Sequence, residues 1–210
     1  MSAKTAAKSI YSVHPGVQMV VDWIDTLKAK TGRSLDEWIK EIKKNGPAEM
    51  KKRIEWLKAK HKLGTNSAWW LAERAEGKGT EDSDPEQYLK AAAEYVEAMY
   101  AGPKSALRPM HDALLRIGKS LGNDVLVCPC KTIVPLYRKH DFAQIRLTTR
   151  MRIDFGLALA KYKGKPAKRL IDTGGLAKKD RITHRIPITT VEDVDEDAQR
   201  WLTIAYELDE

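Results

Sequence analysis

The sequence predicts an α+β protein, with a small all-helical N-terminal unit followed by a mainly antiparallel sheet of five or six strands flanked by helices. Two observations predict it. Apolar residues recur every three or four positions as far as Gly122, then shorten to strand-like runs, then return to helical spacing after Val191. Short adjacent strands with Gly- and Lys-rich turns between them favour antiparallel pairing.

The first helix is expected to open at Pro15, whose fixed φ suits the first helical position, and to end near Thr31-Gly32. It places Val17, Val20, Val21, Ile24 and Leu27 on one face. Ser34 with Glu37 has the capping-box form, in which hydroxyl and carboxylate satisfy free backbone N–H groups, and the helix it starts stops at Asn45-Gly46. Pro47 is read as opening a third helix, and a fourth begins near Asn66 after Lys62-Leu63-Gly64. Residues 76–86 turn to Gly, Asp, Glu, Ser and Pro with almost no apolar side chain, the composition of a linker. The expected organisation is a disordered tail over 1–12, a helical domain over 13–77, a linker over 78–86 and an α+β domain over 87–210.

Within the second domain, helices are expected from Pro85 and over 105–121, with Pro109 near the start of the latter. Strands are expected over 125–130, 132–138, 142–147, 151–157, 170–173 and 182–188, and a closing helix over 191–208. The acidic first turn of that helix complements the positive end of its dipole.

The chain carries 37 basic and 29 acidic residues, a net charge of +8. That excess is local: residues 103–187 hold 19 basic and 6 acidic side chains. Such density favours an anionic partner, nucleic acid or a phosphorylated or carboxylated small molecule. No run approaches the ~20 apolar residues of a membrane span, and the N-terminus lacks the apolar segment of a secretory signal, so a cytoplasmic protein without membrane contact is expected. The two cysteines, Cys128 and Cys130, are too few for a disulfide framework and are expected to be reduced.

The run Val13-His14-Pro15-Gly16, with Thr31-Gly32-Arg33-Ser34-Leu35, Glu37-Trp38-Ile39, Trp56-Leu57-Lys58 and Leu63-Gly64-Thr65-Asn66 before Ala68-Trp69-Trp70, resembles a bacterial domain family of unknown function over residues 13–77. From Leu107 through Lys131-Thr132, Phe142-Ala143 and Asp154-Phe155-Gly156-Leu157 to Trp201-Leu202 and Ala205-Tyr206, the chain resembles a second uncharacterised bacterial family. Some members of that family are labelled predicted transport protein, and it is loosely similar to small α+β domains grouped with frataxin-like iron chaperones. The resemblance implies a two-part architecture and brings no catalytic residues.

The hairpin over 142–155 is the most informative segment. Gln144, Arg146, Arg150, Arg152 and Asp154 share one parity and Ala143, Ile145, Met151 and Ile153 the other, so one face is basic and one apolar. With a loop at 147–149, Arg146 would oppose Arg150 and Gln144 would oppose Arg152, a like-charge pairing that an anion would relieve. Arg138 precedes the hairpin, and Tyr137 and Phe142 would supply stacking surface. The ordinary alternative is a solvated sheet face with Asp154 pairing an arginine.

Trp69 and Trp70 suit the core of a helical unit together with Trp23, Trp38 and Trp56. Adjacent helical positions differ by ~100°, however, so one of the two must face the second unit, a partner or a ligand. A pocket between the units that sequesters a small molecule or performs an unrecognised reaction is the alternative function. Helices over 47–61 and 66–76 could form a helix-turn-helix, but Glu73 and Glu76 suit a phosphate backbone poorly. Cys128 and Cys130 could join His140 or His184 around a soft metal, yet no second Cys pair or familiar His spacing is present, so no metal and no cofactor is assigned. His111 and His184 are expected to be surface or satisfied side chains. Gly174-Gly175 before Lys178-Lys179 lacks phosphate-loop spacing and is read as a turn. The candidate ligand-binding residues are therefore Arg138, Arg146, Arg150, Arg152, Trp69 and Trp70, with no catalytic residue assigned.

Overall fold

A computed structural model describes residues 9–210. The described residues divide into two compact units, one comprising Pro15–Tyr88 and the other Leu89–Glu210 together with residues 9–14.

The first unit holds helices α1 (Pro15–Thr31), α2 (Leu35–Asn45), α3 (Met50–His61) and α4 (Thr65–Ala75). Leu27, Trp38, Ile42, Leu57, Ala68, Leu71 and Ala72 form its core. Apolar spacing places these side chains on facing stripes, and local chemistry sets the helix ends. Ser34 and Glu37 make the expected capping box. The indole N–H of Trp38 donates to Thr31 Oγ1 at 2.8 Å, tying the end of α1 to α2. Pro47 does not open α3, which starts three residues later. Instead the carbonyls of Pro47 and Ala48 accept from the Arg53 guanidinium, whose Nη1 also donates to the Ala72 carbonyl and to Glu76. A single buried cation thus fixes the turn before α3 and the end of α4.

The segment expected as a linker is built rather than extended. Thr80–Asp82 forms a 3-10 turn, and Arg74 Nη2 donates to Ser83 Oγ at 2.8 Å. Residues 1–8 of the expected tail lie outside the described residues. The rest of it is anchored: the Ser12 N–H donates to the Val127 carbonyl at 2.8 Å, and Tyr11 packs against the core of the second unit.

Helix α5 spans Pro85–Met99, and the boundary between the units falls within its first turn. The helix expected over 105–121 is split into a 3-10 segment, Gly102–Leu107, and α6 (Arg108–Lys119). Pro109 sits in the first turn of α6, where its missing N–H costs nothing. Then come β1 (Leu126–Val127), β2 (Ile133–Tyr137), β3 (Asp141–Leu147), β4 (Ile153–Leu157), β5 (Ile171–Asp172), the short α7 (Gly175–Lys178), β6 (His184–Ile188) and α8 (Glu196–Glu207). The six strands form one antiparallel sheet in the order β1-β2-β3-β4-β6-β5.

The two faces of the sheet differ as the alternation predicts. Val134, Leu136, Ala143, Ile145, Ile153, Phe155, Ile186 and Ile188 are buried in one core with side chains of α5, α6 and α8. At ~25 cal/mol per Å² of apolar area removed from water, this layer is the main force holding the unit together. The acidic α8 packs on β3 and β4 through Ala198, Trp201, Leu202 and Ala205, so it covers the apolar face and leaves the charged face uncovered.

The register of the central hairpin corrects the expectation. Arg146 lies opposite Asp154 and Gln144 opposite Gly156, with the connection running over 148–152. The expected register and the observed one differ by four residues, an even number, so both place the same side chains on the same face. The observed one replaces an Arg–Arg juxtaposition with an opposite-charge pair.

Candidate functional site

A groove of about 580 Å³ opens on the charged face of the sheet. Its floor is Gln144 and Arg146 of β3, Asp154 and Gly156 of β4, and Arg185 of β6. Its wall is the segment 173–182, carrying Lys178, Lys179, Asp180 and Arg181.

That wall is held by local hydrogen bonds and by one close approach to the floor. Thr173 Oγ1 donates to the Ile182 carbonyl at 3.0 Å, and the Asp180 N–H donates to the Gly175 carbonyl at 2.9 Å. Gly174, at φ +68°, supplies the left-handed step that starts α7. Ile182 rests on Gly156 so closely that a Cβ there would lie 2.6 Å from the Ile182 Cγ2 methyl. Glycine at 156 is therefore what lets the wall settle on the sheet.

Two of the three carboxylates lining the groove are already paired. Asp154, 9% exposed, meets Arg185 Nη1 at 2.7 Å and Arg152 Nε at 2.9 Å, and accepts from Thr148 Oγ1 at 2.6 Å. Asp141 meets Arg181 Nε at 3.2 Å and accepts from Gln144 Nε2 at 2.7 Å. Arg181 also reaches Asp209 at 2.7 Å, whose carboxylate in turn accepts from the backbone N–H groups of Lys139 and His140. Arg181 thus ties the wall to the start of β3 and to the residues after α8. Arg146, Lys178 and Lys179 are exposed and make no ion pair among the described residues.

The six candidate residues do not form one site. Arg146 lies in the groove, and Arg152 stands beside it as a partner of Asp154. Arg150 lines a separate pocket with Lys104 and Lys131. Arg138 is engaged elsewhere: its Nε meets Asp124 at 2.8 Å, and its guanidinium lies 4.3 Å over the Tyr206 ring. Trp69 and Trp70 belong to the first unit. Trp70 packs on Trp23 at 5.0 Å, and Trp69 is the outward member of the pair at 41% exposed. The groove residues missing from the candidates are Lys178, Lys179, Arg181 and Arg185. The doublet Lys178-Lys179 after two glycines was the one signal in the sequence, and a phosphate-loop template passes over it.

The cysteines are not poised as metal ligands. Cys128 is buried, its Sγ donates to the Val13 carbonyl at 3.7 Å, and burial pushes its thiol up to about 12. His140 bonds Asp209 and His184 bonds Thr183. Among the described residues no group of three or more His, Cys, Asp or Glu side chains could hold a metal ion. Beside Cys130, Tyr137 Oη lies 3.1 Å from His14 Nε2; burial raises the phenol to about 12 and lowers the imidazole from its ordinary value.

His111, expected at the surface or satisfied, is fully buried, and neither ring nitrogen has a hydrogen-bond partner among the described residues.

Residues 96–209, more than half of the chain, match the family model described as Domain of unknown function (DUF5655). The chain belongs to the DUF5655 family. Residues 21–76 match a second model, Domain of unknown function (DUF4287), so the two domains follow one another in the order the resemblance implied. No curated protein and no solved structure matches the chain. Every residue lining the groove falls within the DUF5655 match, and Trp69 and Trp70 fall within the DUF4287 match. No helix among the described residues is long and apolar enough to cross a membrane.

Proposed function

We propose that this DUF5655 protein is a non-enzymatic binding module whose groove takes a compact anionic ligand bearing a phosphate or carboxylate. One observation carries the reading. Arg146 from the floor and Lys178 and Lys179 from the wall converge on one concavity, while Asp141 and Asp154 beside them are already neutralised by other arginines. Five Arg and Lys side chains line the groove against three carboxylates, Asp180 beside Lys179 being the third, and an anion relieves the repulsion of the remaining positive excess. The volume suits a small ligand rather than a polymer. Three interspersed carboxylates disfavour a phosphate backbone, and the dispersal of Arg138, Arg150 and Arg152 leaves no continuous basic track for one. Binding is favoured over chemistry because Asp141 and Asp154 are held in ion pairs and the Thr173 hydroxyl is spent on the Ile182 carbonyl. That neither Cys128 nor Cys130 forms a disulfide agrees with a cytoplasmic location in this reading.

The test is calorimetric titration with inorganic phosphate, citrate and a short single-stranded oligonucleotide at low and moderate salt. The wild-type protein is compared with Arg146→Glu and with the double variant Lys178→Glu/Lys179→Glu. Phosphate or citrate binding that weakens by at least about tenfold in both variants is the expected result. Binding that is indifferent to both variants sinks the groove as the site, and preference for the oligonucleotide would make a polymer the partner.

A further inference from the structure

A second concavity of about 460 Å³ lies elsewhere in the DUF5655 unit. Its apolar lining is Ala98 and Met99 from the end of α5, with Ala101, Pro103 and Leu147. Its polar lining is Thr132 and three cations, Lys104, Lys131 and Arg150, and no Asp or Glu lines it.

The cations come from three separate segments: the 3-10 segment after α5, the turn before β2 and the β3–β4 connection. The negative end of the α5 dipole would account for Lys104 alone. It does not account for Arg150 or Lys131, which the strand connections deliver to the same opening. Lys131 Nζ stands 5.9 Å over the Tyr95 ring, and neither Lys104 nor Arg150 makes an ion pair among the described residues. Three positive charges around an apolar floor, with no acid in the lining, fit a ligand that offers a charge to the rim and a hydrocarbon body to the floor.

We propose that this pocket binds an amphiphilic anion, a carboxylate on a short acyl or aromatic body, independently of the groove. Lys104 and Arg150 hold the carboxylate. Met99 and Leu147 receive the body. The groove has a charged floor and selects charge alone, whereas this pocket selects charge and apolar area together.

Octanoate is the probe, with octanol as its uncharged counterpart and inorganic phosphate as its counterpart without a body. Amide chemical shifts are followed in the full-length chain, for wild type, Lys104→Glu, Arg150→Glu and, as a control on the groove, Arg146→Glu. The expected result is that octanoate shifts the Met99, Lys104, Thr132 and Arg150 amides and binds at least about tenfold more tightly than octanol or phosphate. Lys104→Glu and Arg150→Glu should abolish that binding, with the rest of the spectrum unchanged to show that they fold. Arg146→Glu should leave it intact. Octanol binding as tightly as octanoate, octanoate shifts confined to the groove, or undiminished binding in both rim variants would each overturn the proposal. Loss of phosphate binding in Arg146→Glu reports on the groove alone, so either site can fail without the other.

Discussion

His111 makes the stability of the second unit sensitive to acid. It is 0% exposed, its ring lies 4.8 Å from that of Tyr100, and neither nitrogen is hydrogen-bonded within the described residues. Burial lowers its pKa from 6.5 to about 4, with Asp112 and Glu97 opposing and Arg108 reinforcing the shift. Between those two values the unfolded chain takes up a proton that the folded chain refuses, so stability falls as the pH drops through that window. At 1.36 kcal/mol per unit the loss amounts to about 3 kcal/mol once the pH is well below 4, of which about 2 kcal/mol is already lost by pH 5. His111→Leu removes the titration and two unsatisfied nitrogens while preserving an apolar volume. The variant should be at least as stable at pH 7 and should pull ahead of wild type as the pH falls. Urea unfolding followed through the Ile145 and Phe155 amides at pH 7, 6 and 5 gives the difference between the two proteins, in which the other titrating groups cancel. A difference that stays constant over that range would refute the argument.

Three further perturbations follow from contacts described above. Arg53→Met removes a buried cation bonded to three carbonyls and Glu76, and should cost the first unit about 3 kcal/mol, read as a lowered midpoint in thermal unfolding by circular dichroism. Gly156→Ala should lift the wall of the groove and weaken phosphate binding, and adding Ile182→Ala should restore it by removing the methyl in the way; calorimetry on the single and double variants decides whether the wall matters. Asp209→Asn, at 2% exposed, replaces the charge that holds Arg181 and two backbone N–H groups and should cost about 2 kcal/mol in urea, and an unchanged midpoint would show that the network contributes nothing.

Much of this architecture is legible in the sequence, because helix periodicity and strand alternation are local signals. The capping box at Ser34 and Glu37, the proline starts of α1 and α5, and the two faces of β3 and β4 all follow from neighbours within a few residues. What escapes is long-range. Pro47 reads as a helix start, but its carbonyl is held by the Arg53 guanidinium, which is itself fixed by Ala72 and Glu76 about 20 residues further on. The end of the N-terminal tail is tied down by Val127 and Cys128, which no local composition announces. Arg146 was found because alternation marks the outward face of its strand. Lys178, Lys179 and Arg181 were not, because only the packing of Ile182 against Gly156 brings their segment over the sheet.

The even offset between the two hairpin registers has a kinetic meaning. A chain that closes the hairpin four residues short still buries Ala143, Ile145 and Ile153 on the same side, so hydrophobic collapse does not reject it. Rejection falls to electrostatics, to Arg146 meeting Arg150 in one arrangement and Asp154 in the other. Added salt screens that discrimination. Refolding should therefore develop a slower phase as ionic strength rises, and Arg150→Ser should show that phase even at low salt. A single refolding rate across salt and in the variant would mean that contacts outside the hairpin choose its register.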